Sequence, residues 1–178
     1  MVEFAIISVA LFTLIFGIIE GGFAVQARSA VNNAVDDAAR RGAVAGTSAD
    51  ADYLIIRQLI GRGAEAADID YVVVYRADNG SSPVPPGCID GIAAPGVCNV
   101  YRPNIVSGKF NLDPGAYGCP SGLGTQWCPA NRANGDEIGF LGVYVRANYE
   151  PIINQIFFEF DFRVDANSLQ AIETSGEL

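Results

Sequence analysis

The sequence predicts an α+β protein, with one long N-terminal α-helix packed on a small antiparallel β-sheet head whose loops are stapled by disulfides. Three observations carry that expectation. The first 45 residues contain no proline and pass from a wholly apolar run to an amphipathic one. Farther on, Val/Tyr-rich or alternating stretches follow one another without a regular helix between each. Between them, four cysteines bracket Gly/Pro-rich loops.

The first element opens MVEFAIISVALFTLIFGIIEGG, in which nothing from Phe4 to Ile19 is charged while Glu3 and Glu20 bound the run. Residues 4–19 together with Gly21 to Val25 give about 22 positions broken only by Glu20, roughly 33 Å of helix, near the hydrocarbon thickness of a bilayer. No positive region precedes the run and the helical pattern continues past it, which argues against a secretory signal peptide. Beyond it, Ala24, Ala27, Val31, Ala34 and Ala38 recur at helical spacing as a face of small residues, with Arg28, Asn32, Asp36, Asp37, Arg40 and Arg41 in other sectors. The expected division is a helix over 1–45, made of a hydrophobic stem (1–25) and an amphipathic part packed on the head (26–45), then a globular α+β head over 46–178. Gly21 and Gly22 lower helix propensity where the halves meet, which allows a bend or local melting there.

In the head, Ser48 and Asp50 are N-cap candidates for a second helix over 51–62, with Leu54, Ile55, Leu59 and Tyr53 on its buried side and Gly61 and Gly63 ending it. IDYVVVYRAD (69–78) reads as a strand closed by Asn79-Gly80. Residues 81–135 read as long stapled loops with a short strand near Asn99–Tyr101, Trp127 packing within them. A second long strand is expected over 138–147. Ile152–Phe157 is a short helix or loop after Pro151. FEFDFRVD (158–165) alternates apolar and charged residues as a strand with one dry face, extended by Ser168–Glu173.

Composition narrows function. The formal charge of −9 and pI near 4.3 lack the basic footprint of a nucleic-acid binder, so no nucleic acid is expected as a partner. The absence of histidine removes Ser-His-Asp, Cys-His and most zinc chemistry. The four cysteines, Cys88, Cys98, Cys119 and Cys128, allow three pairings. The local pairs Cys88–Cys98 and Cys119–Cys128 would each close a loop of about ten residues in an oxidising compartment, contributing very roughly 2–3 kcal/mol.

Acid pairs at Asp136-Glu137 and Glu159/Asp161 are weighed as catalytic carboxylates, but a solvated strand face accounts for the latter. Asp78-Asn79-Gly80 lacks the remaining ligands of a calcium loop, and Asn79-Gly80-Ser81 reads as a turn. No enzyme, metal or cofactor is expected.

VEFAIISVALFTLIFGIIEGG resembles the N-terminal helix of the TadE-like pilins of type IVc (tight-adherence) pili, with their "VEFAL…PLLL…GIIEFG" pattern. VVVYRADNGSSPVPPGC, GVCNVYRP and GVYVRANYEPI resemble actinobacterial-type heads of that family. The resemblance implies a precursor cut by a prepilin peptidase after a short basic leader. Such a leader would reconcile Arg28, Arg40 and Arg41 with disulfides outside the cell, against the positive-inside rule. It also implies packing of the mature helix into a pilus core, with the early glutamate meeting the terminal amine of an adjacent subunit. That role falls on Glu3, which stands third where the family's glutamate usually stands fifth.

The expected function is therefore a structural subunit of an extracellular type IV-like pilus, minor, tip or bulk. It would assemble through Glu3, Phe4, Glu20, Gly21 and Gly22 with other pilin subunits and the inner-membrane assembly machinery. Before assembly it would sit in the cytoplasmic membrane. The rival is a monomeric membrane-anchored extracellular binding or adhesion domain, whose stem stays in lipid.

Overall fold

The computed structural model describes residues 2–62, 67–117, 119, 126–132, 139–151 and 162–172. The acid pairs at 136–137 and 159/161, the segment 152–157 and the first part of the 158–165 strand lie outside them.

Helix α1 runs unbroken over Val2–Ala45, without local melting at Gly21 and Gly22. It stops at Gly46, whose φ of +54° is the left-handed conformation that glycine adopts without a Cβ penalty, and whose N–H returns to the Gly42 carbonyl at 3.0 Å. The small-residue face is where the helix meets the head: Ala27, Val31, Ala34 and Ala38 are buried, joined by Val35, Ala39 and Ala43. Helix α2 covers Ala51–Arg62, the expected span. Its buried side is Ile55, Ile56 and Leu59, with Leu54 only partly covered, so the buried stripe is rotated from the expected one. A Cβ at Gly42 would lie 2.5 Å from Ile55 Cδ1, a measure of how closely the two helices pack.

Strands β1 (Asp68–Ala77), β2 (Cys98–Tyr101), β3 (Phe140–Tyr149) and β4 (Phe162–Ala171) form one antiparallel sheet in the order β2-β1-β3-β4. A one-turn helix α3 (Pro86–Ile89) lies between β1 and β2, and short 3-10 turns occupy Pro114–Ala116 and Pro129–Asn131. The described part of the last strand starts at Phe162 and carries on to Ala171. Val164 and Ala166 are buried as the alternation requires, but Phe162, expected on the dry side, is half exposed at the strand's end. In β1 the register shifts between Ile69 and Tyr71, a bulge that re-phases the strand so that Ile69, Val72 and Val74 all face the helices. The bulged Asp70 accepts from Asn148 Nδ2 at 3.0 and 2.9 Å.

Two apolar layers result. The main core lies between the helices and one face of the sheet, and includes Tyr101, Tyr117 and Trp127. On the opposite face Tyr71, Val73, Tyr75 and Tyr144 pack with Val84, Ile89, Ala93 and Ala94 of the first stapled loop. Cys88 on α3 bonds Cys98 on β2, and Tyr71 Oη donates to the Ile89 carbonyl at 2.6 Å, so the loop is held over the sheet. Tyr75 lies across Gly142 and donates to Asn167 Oδ1 at 3.0 Å. The second disulfide joins Cys119 to Cys128. Both pairings are the local ones.

A buried polar centre fixes the second loop against α2. Asp52, fully buried, has Oδ2 accepting from Tyr101 Oη (2.6 Å), Asn99 Nδ2 (2.8 Å) and Arg132 Nη2 (2.7 Å), and Oδ1 lies 2.6 Å from Arg132 Nη1. Asn99 Oδ1 accepts from the backbone N–H groups of Gln126 and Trp127, both at 2.6 Å, while its Nδ2 also donates to the Trp127 carbonyl. Arg132 stacks on the Trp127 ring, 4.5 Å from its centroid. Ion pairs this deep lose much hydration, and the several donors on one carboxylate are what make the burial tolerable.

Candidate assembly surface

Two contacts orient the long helix. Glu20 meets Tyr149 at the end of β3, and Gly42 lies against Leu141 at its start, so α1 runs antiparallel to β3. Everything N-terminal to Glu20 projects past the sheet. That leaves 18 residues from Val2 to Ile19, about 27 Å of helix.

On this projecting stem Phe4, Ile7, Phe12, Leu14, Phe16 and Ile18 all stand exposed, as do the other described large apolar side chains. Monomeric soluble domains rarely show so long an uncovered apolar surface, so it demands lipid or protein. The helix containing it is long and apolar enough to cross a membrane. Past the first turn its backbone donors and acceptors pair within the helix, and Thr13 Oγ1 donates to the Val9 carbonyl at 2.8 Å, so this hydroxyl adds no unmet polar group.

At the base of the stem, Tyr149 Oη donates to Glu20 Oε1 at 2.9 Å. Glu20 is 9 % exposed, buried against the head rather than facing outward with its apolar neighbours. Burial pushes the Tyr149 phenol above its ordinary value of 10.0, and the hydrogen bond to the Glu20 carboxylate adds to the rise. The phenol therefore stays a proton donor. The acid that interrupts the apolar run in sequence is thus the point where head and stem are joined.

The other expected assembly residues fall as follows. Phe4 is 77 % exposed. Glu3 belongs to α1, and its side chain lies outside the described ones. Gly21 and Gly22 are exposed, and a Cβ at either would have no neighbour within 4 Å, so neither is required for contact with the head. Asn79 sits in a turn, its Oδ1 accepting from Ser81 N at 2.9 Å. Sequence reading missed Tyr149 as the partner of Glu20, and missed the Asp52 centre. The one available signal for Asp52 was an acid in the first turn of a helix that begins with an alanine, which equally fits a solvated helix start.

The family model described as TadE-like protein matches residues 1–40, which take in the stem and most of the part of α1 that lies on the head. Comparison with curated proteins and with solved structures gives no match. The family match supports a pilus-related protein with an N-terminal apolar helix, and such a helix suggests membrane anchoring.

Proposed function

We propose that this chain is a structural subunit of an extracellular type IV-like pilus of the tight-adherence kind. Its stem holds it in the cytoplasmic membrane before assembly. It then leaves the bilayer to pack against the stems of other pilin subunits, self or homologous, with a prepilin peptidase and the inner-membrane assembly machinery as partners on the way. The observation that carries this reading is the uncovered apolar stem of about 27 Å projecting from an acidic head.

Lipid tails are as apolar as leucine, so moving the stem from lipid to neighbouring stems gains little from the hydrophobic effect. Close packing and specific polar pairing must supply direction and register. Glu3 is the residue for that pairing, its carboxylate neutralised by the terminal amine of an adjacent subunit. A lone carboxylate in hydrocarbon costs a few kcal/mol on insertion scales, of the order of 2.5–3.5. Glu20 does not compete for the role, since Tyr149 already engages it.

The test is Glu3→Ala. The head folds with both disulfides, the protein remains membrane-held, and pili are lost. Normal piliation by the variant would sink the assignment of Glu3, and a chain extracted only by detergent as single copies would favour an anchored adhesion domain.

A further inference from the structure

The most exposed large apolar side chains among the described residues are not on the stem. They are Ile105 and Val106, at 102 % and 96 %, on the loop that follows β2. The loop is tightly organised. Asn104 N–H donates to the Lys109 carbonyl (2.9 Å), Gly108 N–H to the Asn104 carbonyl (2.7 Å), and Asn104 Oδ1 accepts from Val106 N–H (2.9 Å). Gly108 makes the turn at φ +62°. Polar residues usually fill such a tip, so two fully displayed β-branched side chains are an anomaly in an acidic protein.

Position in the fold gives the anomaly a direction. Tyr101 of β2 pairs with Val72, Asp68 of β1 with Asn148, and Tyr149 of β3 with Phe162. The C-terminal end of β2 therefore points to the same end of the sheet as Tyr149, where the stem departs at Glu20. Phe162, half exposed, lies at that end, and Phe23 and Val25 are exposed on α1 just above Glu20. The loop also carries Lys109, the only lysine in a chain of net charge −9. An apolar tip beside a cation is the composition of an interfacial membrane contact. Asp68, Asp70 and Glu150 are exposed at the same end and disfavour anionic lipid, which confines the contact to the loop and the helix.

We propose that residues 102–109 form a bilayer-insertion loop. Ile105 and Val106 enter the interfacial layer of the membrane that holds the stem, Lys109 meets headgroup phosphates, and the head is thereby held at a fixed tilt until the stem is withdrawn. This rests on the stem occupying a bilayer, as in the function proposed above.

The test uses the full chain in phosphatidylcholine vesicles with brominated acyl chains. Three single variants are compared: Val106→Trp, Phe12→Trp on the stem, and Val44→Trp, exposed at the opposite end of the head. Trp127, buried, gives a common background. The expected result is strong quenching of Phe12→Trp, quenching of Val106→Trp by about twofold or more, and none for Val44→Trp. Ile105→Trp repeats the measurement should Val106→Trp fail to form its disulfides. Quenching at residue 12 with none at 105 or 106 overturns the loop proposal alone, including when the loop is instead protected from aqueous quenchers by a second copy. No quenching at residue 12 overturns the membrane-held stem as well.

Discussion

Tyr149, the last residue of β3, donates its hydroxyl to Glu20, 129 residues earlier in the chain, at 2.9 Å. Through this bond the third strand of the head grips the base of the apolar stem. It ties the base of the stem to the end of the sheet and gives the buried Glu20 carboxylate a hydrogen-bond donor.

Replacing Tyr149 by Phe removes that grip with little change of shape. The head retains its fold, stability falls by about 0.5–1.5 kcal/mol, and amide exchange quickens in α1 around Glu20. Hydrogen-exchange mass spectrometry of the chain in detergent reads this directly. Unchanged exchange there would show that the bond does not hold the stem.

The Asp52 centre calls for a cycle of variants. Asp52→Ala strands the buried Arg132 guanidinium and costs about 3–5 kcal/mol in urea unfolding. Arg132→Met is also destabilising, because it leaves the buried Asp52 carboxylate without its cation. The double variant Asp52→Leu/Arg132→Met is expected to lose less than either single change, because no uncompensated charge remains. Additive losses would contradict the assignment.

Gly142 is the point of closest approach on the outer face. A Cβ there would fall 2.1 Å from the Tyr75 ring, whose hydroxyl is tied to Asn167. Gly142→Ala therefore displaces a fully buried aromatic and destabilises by about 1–3 kcal/mol, measured as a lowered melting temperature.

High pH should act through buried phenols. Burial pushes Tyr117 and Tyr144 from 10.0 up to about 12, with Tyr53 beside the first and Asp165 hydrogen-bonded to the second. Because their folded pKa exceeds the unfolded one, their contribution is complete below pH 10 and disappears as pH rises to about 12. Ultraviolet titration should show these phenolates forming late in the native chain and near 10 in denaturant. Tyr117→Phe and Tyr144→Phe should flatten the alkaline loss of stability.

Much of this architecture is legible in the residues. The bounds of α2 follow from its capping residues and glycines, and the strand through Val72–Val74 and the small-residue face of α1 from local composition and periodicity, which burial merely completes. Of the three disulfide pairings the sequence leaves open, the structure holds the two local pairs. What escaped is non-local. Whether Glu20 faces lipid or head depends on where β3 ends, and the partners of Asp52 come from β2 and from Arg132, 80 residues away. The outward Phe162 shows the same limit, since alternation fixes a side of the sheet but not whether another element covers it there. The Ile105-Val106 tip lies between the two stapled loops, where the exposure of an apolar pair cannot be read from its spacing.

Cryo-electron microscopy of filaments sheared from the cell surface tests the central claim most directly. The account predicts this chain within the filament, its stem packed among other stems and Glu3 beside a neighbouring terminal amine. Filaments that lack the chain, with the protein recovered only as single copies whose stems remain in lipid, would contradict it.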